Sequence, residues 1–111
     1  MNLNNKVAVI MSVYRSDVFE YIQEAVQSIL TQSYSLLYLY IYRDGIVPVE
    51  INDYLLGLES RYENVFLVTS PKNQGLANAL NELIDLVQKD GSDSYIARMD
   101  IDELTRTNRI H

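Results

Sequence analysis

Lys6–Val13 reads KVAVIMSV. Its apolar residues occupy both parities: Val7, Val9, Met11 and Val13 on one, Ala8 and Ile10 on the other. A strand with one face in water alternates between apolar and polar. A short, β-branched run with no alternation is what a strand buried on both faces requires, and such strands belong to parallel sheets covered by helices on each side. The run exits through Ser12, Tyr14 and Arg15, where polarity returns.

From Val18 onward the chain alternates between helical and extended periods. Val18–Thr31 places Ile22, Ala25, Val26, Ile29 and Leu30 on one helical stripe, and Asp17 with Glu20 just ahead has the form of a capping box. Leu36–Tyr42, LLYLYIY, is a second strand with Tyr38, Tyr40 and Tyr42 on one face and Leu37, Leu39 and Ile41 on the other. Those tyrosines are expected in the core. Asp44-Gly45 stops the strand, Pro48 suits a first helical turn, and Ile51, Leu55, Leu58 and Tyr62 support a helix to Arg61. Val65–Val68 is a third strand. Gly75 precedes a helix carrying Leu76, Leu80, Leu83, Ile84 and Val87, which Gly91 and Ser92 end. Tyr95–Met99 is a fourth strand and runs straight into Asp100-Ile101-Asp102-Glu103. The order β-α-β-α-β-α-β, with right-handed crossovers, predicts an α/β fold. It is an open, mainly parallel sheet with helices on both faces and strands ordered third, second, first, fourth.

Composition bounds the function. The 111 residues make one domain, spanning 1–111. With 48% hydrophobic and 22% charged residues the chain can build a core, so wholesale disorder is excluded. Nine basic against fifteen acidic residues give a net charge of −6, which argues against nucleic acid as a partner. The absence of cysteine removes disulfides, thiolate metal sites and cysteine nucleophiles. The one histidine, His111, leaves no basis for a Ser-His-Asp triad or a multi-histidine metal site. No apolar run is long enough for a membrane span, and the first residues lack a signal peptide's layout. The expectation is a cytoplasmic domain without a transmembrane segment.

In open α/β sheets, ligands bind beyond the carboxyl ends of the strands. There the topology gathers Ser12, Tyr14 and Arg15, then Arg43-Asp44-Gly45, then Lys72-Asn73-Gln74-Gly75, then Asp100-Ile101-Asp102. Asp100 and Asp102, one residue apart, can both approach a hard cation such as Mg²⁺ or Mn²⁺, which takes oxygen ligands and keeps sites for phosphate. They can equally be loop acids that cap the next helix. Asp44 before Gly45 can be a turn or a ligand contact. Asn73-Gln74-Gly75 can be a turn and helix start, and Tyr14 can pack on its loop or offer a face to a flat base.

Five blocks taken together resemble the family-two glycosyltransferases, built on the GT-A nucleotide-sugar-binding fold. They are Val9–Tyr14, Ala25–Tyr34, Arg43-Asp44-Gly45, Asn73–Ala77 and Tyr95–Glu103, and their order and spacing cover essentially the whole chain. The resemblance implies transfer of a sugar from a nucleoside-diphosphate sugar, UDP-linked, to the hydroxyl of a glycan or lipid-linked acceptor, with inversion and with Mg²⁺ or Mn²⁺. It matches Ser12 and Tyr14 to the base pocket, Asp44 to the acid that accepts from the base, and Asn73 to the loop beside the nucleoside. Asp100 and Asp102 match the acids of the Asp-x-Asp motif, with Asp102 the direct metal ligand and Asp100 and Ile101 beside the ribose and diphosphate.

Three positions depart from the family's pattern. Arg43 stands where an acid is common, Arg15 where Asn is common, and Glu103 where Asp is common. The two arginines are candidates for phosphate contacts. No residue matches the family's catalytic base, which the resemblance places beyond His111 with the acceptor-binding half. The chain is thus expected to be the donor-binding part of a longer enzyme, at the inner face of a membrane in the longer protein, and to transfer sugar poorly by itself. An edge left uncovered at the fourth strand and Leu104 is expected to self-associate. A noncatalytic nucleotide-binding or partner-docking module of the same fold is the alternative. A phosphoacceptor receiver needs an acidic pair where Tyr14 and Arg15 stand, and a dinucleotide dehydrogenase needs a G-x-G-x-x-G that is missing after the first strand.

Overall fold

The computed structural model of the chain describes residues 6–32, 36–90 and 95–101. Asp102, Glu103, Leu104 and the stretch 106–110 lie outside the described residues, as do Gly91 and Ser92. The elements are β1 (Val7–Val13), α1 (Phe19–Leu30), β2 (Leu37–Asp44), α2 (Val49–Arg61), β3 (Val65–Ser70), α3 (Leu76–Asp90) and β4 (Tyr95–Arg98). The four strands form one sheet, every pair parallel, in the order β3-β2-β1-β4.

Two cores flank this sheet. On one face Val9, Met11 and Val13 of β1 and Leu39 and Ile41 of β2 meet the α1 stripe Ile22, Ala25, Val26 and Ile29 and the α2 stripe Ile51, Leu55 and Leu58. On the other, Ala8, Ile10, Tyr40 and Tyr42 meet Ala79, Leu80, Leu83 and Val87 of α3. Constant crossover handedness requires this division. The chain steps the same way from β1 to β2 to β3, so α1 and α2 share a face. It then returns across β1 to β4, so α3 takes the other. The non-alternating apolar character of β1 is thereby explained, since both its faces are covered.

The tyrosine face of β2 carries more than apolar area. The Tyr40 hydroxyl accepts from Lys6 Nζ at 2.9 Å and donates to Asp90 Oδ2 at 3.0 Å. The same ammonium lies 4.4 Å from the Tyr38 ring centroid, within cation–π range. The Tyr42 hydroxyl donates to Glu82 Oε2 at 2.6 Å. Burial, and then the bond to Asp90, push the Tyr40 phenol above its ordinary value. The bond to Glu82 comes first for Tyr42, with burial second. Unfolded phenols ionise near pH 10 and these folded ones higher, so their stabilisation is complete below about pH 10 and is lost as pH rises beyond it. Urea denaturation is expected to show stability falling above about pH 10, with part of that fall removed in Tyr42→Phe, which costs about 1 kcal/mol at neutral pH. An alkaline limb unchanged in both Tyr40→Phe and Tyr42→Phe would sink this assignment.

One local expectation fails. The Asp17–Glu20 capping box does not form: Val18 is the N-cap of α1 and makes no side-chain cap hydrogen bond. Asp17 turns back instead, Oδ2 accepting from Tyr14 N at 2.9 Å while its own N–H donates to Tyr14 O at 3.1 Å. The β1–α1 turn thereby competes successfully for the carboxylate that a cap would use. β2 does end at Asp44-Gly45, two residues beyond Tyr42, with Asp44 paired in register with Ser70 of β3.

The lengths of β1 and β4 create the site. β4 pairs with β1 from Val7↔Tyr95 to Ile10↔Arg98. Met99 N then donates to Ile10 O at 3.0 Å. Beyond it, Met11, Ser12 and Val13 remain paired with β2 alone. The sheet is therefore notched on the β4 side of β1, at the point where the chain's course across the sheet reverses. A crevice outside the carboxyl ends at that point is where such sheets bind ligands.

Candidate functional site

A cleft of about 260 Å³ occupies this notch, lined by Ser12, Tyr14, Asp17, Asp44, Asn73, Gly75, Leu76, Arg98, Asp100 and Ile101. All of the residues expected at a nucleotide within the described part (Ser12, Tyr14, Asp44, Asn73, Asp100 and Ile101) are in that lining. They come from the end of β1, the end of β2, the β3–α3 loop and the segment after β4. Parity explains the convergence. Ser12, Asp44 and Arg98 continue the α3-side rows of their strands, so they collect where α3 begins.

Asp44 is the most constrained of them. It is only 3% exposed, and its two oxygens accept from Gln74 N and, at 3.0 Å, Gly75 N. A carboxylate from β2 therefore takes the amide donors that open α3, where the helix dipole favours negative charge. The approach is close. A Cβ on Gly45 would lie 3.1 Å from Asn73 N, and Gly45 sits at φ 88°, so both space and dihedral call for glycine there. Ser70 closes the loop from the other side, its Oγ donating to Lys72 O at 2.7 Å. Asn73 Oδ1 accepts from Gly75 N at 3.1 Å. Asp44 thus anchors a loop as well as facing the cleft.

Asp100 Oδ1 accepts from Arg98 Nε at 2.9 Å, with the two side chains 20% and 51% exposed. Ile101 is buried and joins the core on the α1 side. Among the described residues no group of three or more His, Cys, Asp or Glu is arranged to hold a metal ion. Mg²⁺ needs no such cage: it binds through one or two carboxylates plus substrate phosphates and water. Asp100, a carboxylate in an open cleft, fits that donor set, while Asp102 lies outside the described residues.

The two arginines expected near phosphate diverge. Arg43 sits on the opposite parity from Asp44, and its Nη1 donates to Asn52 Oδ1 of α2 at 2.6 Å, so it does not line the cleft. Arg15 lines an adjoining hollow with Tyr14, Asp44, Gly45, Ile46 and Asn73.

The family model for glycosyl transferase family 2 matches residues 8–111. The chain belongs to this family. Over 104 residues, 94% of its length, this family-2 chain is 35% identical to the UDP-Gal:alpha-D-GlcNAc-diphosphoundecaprenol beta-1,3-galactosyltransferase of Escherichia coli, of which the match covers 36%. It is 27% identical, again over 94% of its length, to an uncharacterised glycosyltransferase of Haemophilus influenzae, of which it covers 30%. The chain thus spans about a third of the length of the curated relatives it matches. No helix of the described residues is long and apolar enough to cross a membrane.

Asp17, Leu76 and Arg98 also line the family-2 cleft, although sequence reasoning gives them no part in it. By pattern Asp17 belongs to a helix cap. By period Leu76 belongs to the core stripe of α3, yet it is half-exposed at the cleft while Ala79 takes the buried place. Arg98 is absorbed in β4. A signal for it exists, because it shares a parity with Asp100.

Proposed function

We propose that the cleft binds the nucleoside diphosphate of a sugar donor, uridine diphosphate foremost, and that the chain is the donor-binding part of an inverting, metal-assisted glycosyltransferase. One observation carries the reading: residues picked from four separate segments for one ligand line one cleft at the topological switch point. Membership of a glycosyltransferase family and a relative named for a UDP-linked donor support it.

The roles derive from the chemistry. Tyr14 offers its ring to the base, an interaction worth about 1–3 kcal/mol where bases stack on aromatic side chains. Asp44 accepts from the base through lone pairs that the two loop amides leave over. Ser12 and Asn73 lie beside the nucleoside, and Asp100 and Ile101 beside the ribose and diphosphate. Asp100 and Asp102 would hold Mg²⁺ or Mn²⁺, which when bound neutralises charge on the leaving diphosphate. Transfer also needs a base for the acceptor hydroxyl, and we place that base, with the glycan or lipid-linked acceptor, in the part of the family beyond His111.

Amide chemical shifts test the site. Adding uridine diphosphate with Mg²⁺ should move the resonances of Ser12, Tyr14, Gly75 and Asp100 and leave those of Lys6 and Asp90, at the opposite edge of the sheet, in place. Shifts confined to that opposite edge, or none at saturating ligand, would reject the reading.

A further inference from the structure

The apolar stripe of α3 is one turn longer than the core it serves. Ala79, Leu80, Leu83 and Val87 pack against Ala8 and Ile10 of β1 and Tyr40 and Tyr42 of β2. Leu76 precedes Ala79 by three residues and Leu80 by four, so it continues the stripe toward the start of the helix. Beyond Ile10 and Tyr42 the sheet rows under α3 turn polar, at Ser12 and Asp44, and both line the cleft with Leu76. The end of the stripe therefore borders the cleft and not the core, and Leu76 is 48% exposed there. Lone exposed leucines are common on protein surfaces. This one stands in a concave site that also holds a second partly exposed apolar side chain, Tyr14.

The backbone of Leu76 is fixed before a ligand arrives. Gln74 and Gly75, the two residues ahead of it, donate their amides to Asp44. Ala79 N donates to Gly75 O at 3.0 Å and closes the first helical turn around it. A contact offered from a fixed backbone loses little to ordering. The chemistry of the side chain selects what it touches. A leucine gains by covering carbon, and it gains nothing from a hydrated phosphate. In a nucleoside diphosphate only the base and the ribose offer carbon surface.

We infer that Leu76 is the second apolar wall of the nucleoside site, covering ring carbons of the nucleoside while Tyr14 takes the base face. The inference rests on the cleft being a nucleoside-diphosphate site. It deepens that reading by seating the nucleoside, and not the diphosphate, against the start of α3.

Calorimetric titration of uridine and of uridine diphosphate into the chain, into Leu76→Ala and into Leu76→Met, each in Mg²⁺ and in chelator, tests it. Covering the exposed half of a leucine makes Leu76→Ala about fivefold to tenfold weaker, by the same factor for both ligands and in both buffers. Leu76→Met, which restores the apolar area, recovers most of the loss. Without ligand, Leu76→Ala should melt within about 3 °C of the parent. Leu83→Ala, at a fully buried position of the same stripe, should melt about 10 °C lower. Leu76→Ala binding both ligands within about twofold of the parent would overturn the inference and leave the cleft reading standing. So would a loss for uridine diphosphate with uridine unchanged, which places the leucine at the phosphates. So would a melting temperature as low as that of Leu83→Ala, which makes Leu76 a core residue. A parent chain that binds neither ligand would overturn the cleft reading and this inference with it.

Discussion

Replacing Asp44 with alanine is expected to lower the melting temperature of the ligand-free chain by on the order of 15 °C, the largest effect of any single change at the cleft. Asp44 accepts from the amides of Gln74 and Gly75 with one oxygen each, at a position that is 3% exposed. Hydrogen bonds to a charged acceptor contribute about 1.5–3 kcal/mol each, and alanine takes the carboxylate from both donors beside the start of α3, leaving Gly75 N with Asn73 Oδ1 alone. Rehydration from the open cleft recovers part of this, so the net cost is about 3 kcal/mol. Asp44→Asn retains one acceptor and should fall between. Circular dichroism melting of the three proteins decides the matter. Were Asp44 only a base contact, removing a buried acid would leave the empty protein as stable or more so. A variant melting within about 3 °C of the parent would therefore refute the anchoring role.

The second large effect comes from ligands. Uridine diphosphate with Mg²⁺ or Mn²⁺, at about a hundred times the dissociation constant, should stabilise the chain by roughly 2.7 kcal/mol and raise its melting temperature on the order of ten degrees. Nucleotide and ion should bind more tightly together than apart, because each offsets charge that the other would face alone. The coupling must be the same whichever is added first. Asp102→Ala should abolish the metal-dependent part of the rise and keep a smaller nucleotide-dependent part. Equal rises with adenosine diphosphate would retire the uridine assignment and spare the ion. No rise with any nucleoside diphosphate plus metal, in a folded sample, would favour a noncatalytic module of this fold.

Most of the architecture is legible in the chain because it rests on period and parity. The non-alternating β1 announces helices on both sides, and strand–helix alternation with one crossover hand predicts a parallel sheet, in which the expected order third, second, first, fourth is found. Tyr40 and Tyr42 of β2 are legible as core, and their hydroxyls find acceptors on α3, while Tyr38 is only partly buried. The features that escape such reading are decided across the fold rather than along it. Asp44 extends β2 because its side chain is held by amides some thirty residues later in the chain. Asp17 abandons the helix cap because the preceding turn offers it a donor. Arg43 and Arg98 show the same rule with opposite outcomes. Their strand parities send one toward α2 and the other into the cleft, and charge alone does not distinguish them.

Tyr40, Tyr42 and Asp44 occupy alternate positions on one strand, and each holds a different level of α3: Asp90 near its end, Glu82 in its middle, and the amides at its start. Three attachments along one axis forbid the helix to slide or to roll by a residue step without breaking all of them together. The β2–α3 side of the cleft is thereby a fixed jaw. On the β1 side the lining is the turn from Tyr14 to Asp17, which carries two hydrogen bonds between those residues. Arg98, Asp100 and Ile101 line the cleft from the β4 side. A single-residue insertion in α3 between Asn78 and Glu82 would put the rungs out of phase by about 100°, unseating the fixed jaw while leaving the turn from Tyr14 to Asp17 intact.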